Sequence, residues 1–197
     1  MMTSQTAQHR LAVDARRAIA LAATSAGAML ALMTLRDDGA AAIATIAGFP
    51  AGEVSPLSLN LALACDFGLP VGYSAGFCLL ALNRGGGPLA YGVIAFTLAG
   101  AATDFLENGM AASGSPLFGL TLAKYGLLTV AAVLLGAVIR SDRPIDRLAA
   151  LLFQIGMPLF FALLISGALG PATVWIFAPV LTGTFLLALL LPREVTA

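Results

Sequence analysis

Six mostly apolar segments, each long enough to cross a lipid bilayer, constrain the fold of this chain more than any other feature. A membrane-spanning helix needs about 20 mostly apolar residues. The predicted spans cover about residues 18–35, 59–82, 89–110, 118–139, 148–169 and 172–191. Between the last two, Gly167, Gly170 and Pro171 predict a turn. We therefore predict a single domain, residues 1–197, folded as an all-α bundle of six transmembrane helices.

The composition supports a membrane protein and excludes other classes. Hydrophobic residues make up 59% of the chain and charged residues 10%, whereas a soluble domain carries about 25% charged residues. So few charges cannot keep a globule of this size in water. The net charge is zero, which provides no field for a polyanion, so nucleic acid is not an expected partner. Membrane lipids are the expected partners.

The distribution of arginine predicts the orientation of the bundle. With six spans, Arg36 falls on one side, and the other side receives Arg10, Arg16, Arg17, Arg84, Arg140, Arg143, Arg147 and Arg193. Basic residues accumulate in cytoplasmic segments of membrane proteins. Both termini are therefore predicted to be cytoplasmic. The composition, rich in Ala, Gly and Leu, favours the inner membrane of a bacterium as the location.

The connection of residues 36–58 is predicted to face outward. It contains an apolar stretch over residues 40–49, which is too short to span a bilayer. Two interpretations remain open at this point. The stretch forms a re-entrant or interfacial helix, or it forms a plain loop over the bundle.

Several kinds of site are excluded by what the spans lack. The only histidine, His9, precedes the first span, so we expect neither a haem nor a zinc ion bound by protein ligands inside the bundle. Cys65 and Cys78 lie about 20 Å apart along one helix and cannot form a disulfide. No catalytic set is visible, so an enzyme is the less favoured class, and any cofactor is unknown.

Charged residues within spans are costly and mark candidate functional sites. Here they are Asp66, Asp104, Glu107 and Lys124, with Asn108 beside them. Asp104, Glu107 and Asn108 share one helical face through their i, i+3, i+4 spacing. The topology brings all of these residues to a similar depth in the outer half of the membrane. We predict a substrate- or ion-binding site there, without a metal ion.

The charge balance of this cluster suggests its chemistry. Lys124 is the only cation within a span, so it can neutralise one carboxylate and leaves two uncompensated. Either a carboxyl then carries a proton, or the site takes a cation. The alternative is a single structural ion pair between Asp104 and Lys124 that fixes the helix register, with the other groups near the headgroups.

Three glycines at a spacing of four residues, Gly68, Gly72 and Gly76, predict close helix packing on the second span. Two partners for this face remain open. The face packs within the bundle, or it forms an interface with a second copy or a partner protein.

These features favour transport or ligand capture by an outward-facing polar site, coupled to a cation or proton or taking a small solute. The plan is similar to that of the substrate-capture subunits of energy-coupling-factor vitamin importers, a resemblance in helix number and orientation alone. An accessory subunit of a larger membrane complex is the alternative, and a lipid-modifying enzyme is a weaker third. Under the first hypothesis, Asp104→Asn abolishes activity and leaves folding mostly intact.

Overall fold

The helices follow one another along the chain with short connections. The computed structural model describes residues 2–49, 51–167 and 174–193. Its helices are α1 (Met2–Leu35), α2 (Gly39–Ile46), α3 (Pro56–Asn83), α4 (Pro88–Ala112), α5 (Phe118–Ile139), α6 (Pro144–Leu151), α7 (Met157–Ile165) and α8 (Val174–Ala188), with a π-helical turn at Leu152–Gly156. These ranges contain no strand, so the predicted all-α class is confirmed.

Five helical segments are long and apolar enough to cross a membrane. They are Gln5–Leu35, Pro56–Asn83, Pro88–Ala112, Phe118–Ile139 and Pro144–Ile165, the last of which runs through α6, the π-helical turn and α7. Helix α8 is apolar but has only 15 residues. This is the architecture of a multi-pass helical membrane protein. The predicted turn residues Gly170 and Pro171, and the predicted start of the last span at residue 172, lie outside the described residues.

Proline and serine determine where several helices begin. Helix α3 starts at Pro56, and the hydroxyl of Ser55 before it accepts a hydrogen bond from the backbone N–H of Ser58 at 3.2 Å. Proline suits this position because a first-turn N–H has no partner within the helix. Pro88 and Pro144 start α4 and α6 in the same way. These signals mark where α3, α4 and α6 begin.

The glycine face of α3 packs against α1 within the same chain. A Cβ atom on Gly72 would collide with the backbone of Ala22, and a Cβ atom on Gly76 would lie 2.6 Å from Ile19 Cγ1. A Cβ atom on Gly68 would lie 2.5 Å from the Ser25 hydroxyl oxygen. Small residues let two helices approach closely, and here the partner is a helix of the bundle itself.

The apolar stretch between α1 and α3 forms a helix, α2, so the helical interpretation of this connection agrees with the structure. Ala42, Ile43 and Ile46 of α2 are buried, and α2 packs against α1, α3, α4 and α8. It therefore lies over one end of the bundle, which we call the α2 end. The opposite end, where Arg84, Arg143 and Arg193 surround Asp146, is called the arginine end.

A carboxylate before α2 ties it to α3. Asp38 accepts hydrogen bonds from the Ser55 backbone N–H at 2.9 Å and from the Ser58 hydroxyl at 2.5 Å. The Arg36 guanidinium donates to the same carboxylate at 3.3 Å. The hydrogen bonds from Ser55 and Ser58, together with the charge of Arg36, hold the pKa of Asp38 well below its usual value.

At the arginine end, one buried carboxylate gathers three parts of the chain. Asp146, at the start of α6, receives two hydrogen bonds from Arg84, at 2.7 and 2.9 Å. It also accepts hydrogen bonds from Ser141 at 2.5 Å and from Arg193 at 3.0 Å. Arg84 follows α3 and Arg193 follows α8. This paired charge links the end of α3, the start of α6 and the segment after α8 at the arginine end.

The main packing contacts form an incomplete ring of helices. Helix α8 packs on α1, α1 on α3, α3 on α4, α4 on α5, and α5 on α7 and the π-helical turn. Between α7 and α8 the described residues leave a gap that is bridged by sparse contacts at most. We call this gap the α7–α8 seam.

The close approach of α1 and α3 predicts that a methyl group added at Gly72 destabilises the fold, whereas one added at Gly27 does not. Gly72→Ala should lower the free energy of unfolding by about 1–3 kcal/mol, because the added methyl group overpacks the α1 backbone. Gly27→Ala is the matched control on α1, since a Cβ there meets nothing within 4 Å. The measurement is the thermal midpoint of each variant in the same detergent. Equal midpoints for both variants would contradict the packing.

The environment of Asp38 predicts how its contribution depends on pH. Because its folded pKa is lowered, the stabilisation is complete above the unfolded pKa of about 4 and is lost as the pH falls below it. The difference in melting temperature between wild type and Asp38→Asn should therefore be largest at neutral pH and shrink towards pH 3. Asp37→Asn, at an exposed neighbouring carboxylate, serves as the control. A difference that is constant with pH would contradict this assignment.

Candidate functional site

Three helices bring the predicted polar residues together near the α2 end. Asp66 comes from α3, Asp104 and Glu107 from α4, and Lys124 from α5. At 1.5 Å per residue, Asp66 lies about 15 Å, Asp104 about 12 Å and Lys124 about 9 Å from the nearer end of its helix. All four residues are buried. The charges therefore meet inside the bundle.

Lys124 pairs with two carboxylates on one face of α4. Its ammonium group donates to Asp104 Oδ1 at 3.1 Å and also to Glu107 Oε2. The Lys124 side chain is 8% exposed, and those of Asp104 and Glu107 are 2% and 0% exposed. Breaking a buried pair is costly because it leaves a charge without compensation. The pairing thus joins α4 to α5 at a fixed register.

Two neutral hydroxyl groups complete the shell around this pair. The Tyr73 hydroxyl donates to Asp104 Oδ2 at 3.1 Å. The Thr121 hydroxyl is shared between Glu107 Oε1 and the carbonyl of Ala47, which lies 2.9 Å away. Asp104 and Glu107 are thereby held on both oxygens. This arrangement leaves them little freedom to turn towards another ligand without releasing a partner.

Asp66 is different, because its carboxylate is buried without an equivalent partner. It is 4% exposed, and its Oδ2 atom has no hydrogen bond. The buried Asn108 amide interacts with the Asp66 carboxylate, but this contact does not have standard hydrogen-bond geometry, and Asp66 Oδ2 itself receives no hydrogen bond. Buried polar groups without partners are rare in folded proteins. Asp66 therefore has unused capacity to bind a donor or a cation.

A proline in α3 leaves the backbone carbonyl of Asp66 without its usual helical hydrogen bond. Pro70 lies within α3 and has no N–H, so the backbone carbonyl of Asp66 cannot receive the usual helical hydrogen bond from residue 70. The backbone and the side chain of Asp66 thus both offer acceptor oxygens. In a membrane-spanning helix such freed groups are tolerated where they are buried in protein or line a cavity.

The three carboxylates are close enough to share one cation. Oxygen atoms of Asp66, Asp104 and Glu107 all lie within 4.8 Å of one another. Lys124 already occupies the position between Asp104 and Glu107. It acts as the resident cation, and a further positive charge would be placed towards Asp66.

A cavity of about 100 Å³ extends from these charges into the centre of the bundle. Its polar end contains Asp66, Tyr73, Asp104, Glu107, Thr121, Lys124 and Tyr125. Most of its remaining wall is apolar: Met29, Ile43, Ile46, Ala47, Phe49, Leu69, Phe77, Leu128, Ala132, Phe153, Met157, Phe160, Leu164, Leu181 and Phe185. Counting both the polar end and the apolar wall, every helix except α6 contributes to the lining of the cavity. Asn108 is not part of it.

Helix α2 and the residues after it cover the cavity at the α2 end. Ile43, Ile46 and Phe49 line it from that side. Gly48 has a φ of 71°, and a Cβ atom there would lie 2.6 Å from the backbone nitrogen of Phe118, so this turn needs glycine. Phe49 packs on Phe118 with ring centroids 5.1 Å apart. An opening at this end would require these contacts to break.

The structure brings together four of the five predicted binding residues around the cavity and places Asn108 directly behind Asp66. Sequence reasoning missed Tyr73 and Thr121. Tyr73 lies seven residues after Asp66, and Thr121 lies three residues before Lys124, so each shares a helical face with a charged residue. That periodicity could have identified both.

Comparison with known proteins adds no family to this geometry. No protein-family model, curated protein or solved structure matches the chain. No structural match therefore supports the resemblance in helix number and orientation to the vitamin-capture subunits. The function must be argued from the site alone.

The buried pair predicts a large effect of removing its cation. Lys124→Met should lower the free energy of unfolding by about 3–5 kcal/mol, because it leaves Asp104 and Glu107 buried without compensation. The double variant Lys124→Met/Glu107→Gln should recover part of this loss. Thermal midpoints in one detergent provide the measurement. A Lys124→Met variant as stable as wild type would show that the pair does not hold α4 to α5.

Proposed function

We propose that this protein binds a cation, as a proton or a positively charged small solute, at Asp66 within the membrane and serves in transport or ligand capture. The observation that carries the proposal is that the three buried carboxylates differ in their hydrogen-bond partners. Lys124 donates hydrogen bonds to both Asp104 and Glu107, whereas Asp66 Oδ2 has no hydrogen-bond partner and no salt bridge to Lys124. A carboxylate in a low-dielectric interior requires a proton or a counter-ion.

The other residues have supporting roles in this proposal. Lys124 holds Asp104 and Glu107 in place and limits the net negative charge that the ligand must balance. A ligand that reaches Asp104 would compete with Lys124 for the same oxygen. Exchange of partners at Asp104 therefore provides a means of coupling ligand binding to a movement of α4 against α5.

We further propose six membrane spans, with α8 as the last, both termini in the cytoplasm and the inner membrane of a bacterium as the location. Arginine supports this orientation. Arg84, Arg143 and Arg193 all lie around Asp146 at the arginine end, whereas Arg36 lies at the α2 end. The positive-inside rule then makes the arginine end cytoplasmic and the α2 end outward. An outward-facing opening would require α2 to move aside.

Asp66→Asn is the sharpest test of the proposal, because Asp66 has no ion-pair partner to lose. Asp104→Asn also removes contacts to Lys124 and Tyr73, so a loss of activity there would be mixed with a loss of stability. We expect a bound cation at about 100 times its Kd to stabilise wild type by about 2.7 kcal/mol. Asp66→Asn should lose this effect and remain folded.

The measurement is the thermal midpoint of the purified chain in Na⁺, K⁺ or tetramethylammonium chloride at matched ionic strength, with proton release followed in weak buffer. Glu53→Gln, at an exposed carboxylate of the α2–α3 connection, is the matched control and should behave as wild type. Identical responses of wild type and Asp66→Asn in every cation and at every pH would overturn the proposal. If native mass spectrometry then showed stoichiometric foreign subunits, the accessory-subunit hypothesis would replace it.

A further inference from the structure

We infer that the ligand is an organic cation with an apolar body, bound with its charge at Asp66 and its body along the α7–α8 seam. This inference rests on the proposed function, because it needs Asp66 as the counter-charge. It goes further by assigning a chemical class to the ligand and a part of the fold to its apolar portion.

The wall of the cavity argues against a bare or hydrated inorganic ion. Beyond the polar end, the wall consists mainly of Leu, Met, Ile and Phe side chains. A hydrated ion in this space would lose water contacts without receiving polar replacements, which is costly. A ligand with a charge at one end and a hydrocarbon body matches the division of the wall into a polar and an apolar part.

Aromatic rings lie where such a ligand would extend. Phe77 contacts Phe153 and Phe185, with ring centroids 5.6 and 6.0 Å apart, so one ring of α3 joins the π-helical turn to α8. Tyr125 packs edge-on against Phe160 at 5.2 Å. Its ring already lies 5.0 Å from the Lys124 ammonium. Aromatic faces attract organic ammonium groups and also pack against apolar bodies.

The volume sets the size of the portion that is enclosed. The cavity measures about 100 Å³, whereas an apolar cavity of about 150 Å³ encloses one benzene molecule. An alkylammonium group therefore fits beside Asp66, but a larger body must continue out of the enclosed space. The ligand needs an exit from the bundle that is apolar on both sides.

The α7–α8 seam provides that exit. Met157, Phe160 and Leu164 of α7 line the cavity at helical spacing, and so do Leu181 and Thr184 of α8. These two rows face the same space, yet the described residues of α7 and α8 make at most sparse contact with each other. Elsewhere α2 covers one end, and the paired charges around Asp146 make the other end polar. A ligand body leaving through the seam would enter the lipid, which suits a hydrophobic cation.

The test uses benzyltrimethylammonium as the probe, with the full chain in lipid nanodiscs. Equilibrium dialysis of the radiolabelled cation against nanodiscs with and without protein separates specific binding from partition into lipid. Tetramethylammonium has the charge without the body, and neopentylbenzene has the same shape without the charge. We expect benzyltrimethylammonium to bind at least about tenfold more tightly than tetramethylammonium, and neopentylbenzene not to displace it.

Three variants and one matched control locate the two parts of the ligand. Asp66→Asn should reduce the affinity for both cations at least about tenfold. Thr184→Trp places bulk in the seam and should reduce only the affinity for benzyltrimethylammonium. Leu186→Trp, at a residue that is 53% exposed on α8, is the matched control and should leave both affinities unchanged. Leu181→Ala removes an apolar contact without adding bulk, and it should weaken benzyltrimethylammonium alone if Thr184→Trp fails to fold.

The outcomes separate the inference from the proposed function. If tetramethylammonium binds as tightly as benzyltrimethylammonium and the seam variants affect neither, the inference is overturned while cation binding at Asp66 stands. If neopentylbenzene displaces the cation as well as unlabelled benzyltrimethylammonium does, the charge has no role and the inference also fails. If Asp66→Asn binds both cations like wild type, the proposed function fails and the inference fails with it.

Discussion

The pairing of the Lys124 ammonium with two carboxylates of α4 is the interaction on which the rest of the structure depends. Asp104 and Glu107 are buried in a segment that spans a membrane, where an unpaired charge is costly. Their only cationic partner among the described lining residues is on α5. Tyr73 adds a hydrogen bond from α3. Three helices are thus held at one register by the need to compensate buried charge.

Asp66 takes no part in the pairing with Lys124. This difference between Asp66 and the other two carboxylates is the basis of the proposed function. A fully neutralised cluster would be a structural element and nothing more. Here a third carboxylate lies within 4.8 Å of the others, with an oxygen that has no partner. Pro70 removes the helical donor from its backbone carbonyl as well. Under the proposed function, this unpartnered oxygen is where a bound positive charge would lie.

The packing around the cavity determines how such a charge would arrive. Helix α2 is held over the α2 end of the cavity by Asp38 and by the contact of Thr121 with Ala47. Asp146 draws the helix ends together at the arginine end. Between these ends, α7 and α8 both line the cavity, and their described residues make at most sparse contact with each other. The proposed function would therefore require either a movement of α2 or passage along the α7–α8 seam.

The sequence by itself determined that the chain forms long apolar helices and that the charges lie within them, because apolar length and helical spacing are local properties. Helix α5 begins at Phe118 and ends at Ile139, as predicted from its apolar run, and the α4 spacing placed Asp104, Glu107 and Asn108 on one face. The tertiary structure alone decided that Lys124 pairs with both carboxylates rather than one. It also decided that α2 covers the site, that the glycine face meets α1 and that a seam remains between α7 and α8. The physical reason is that pairing and closure depend on which helices are neighbours, and neighbours are chosen by packing over the whole bundle rather than by any one segment.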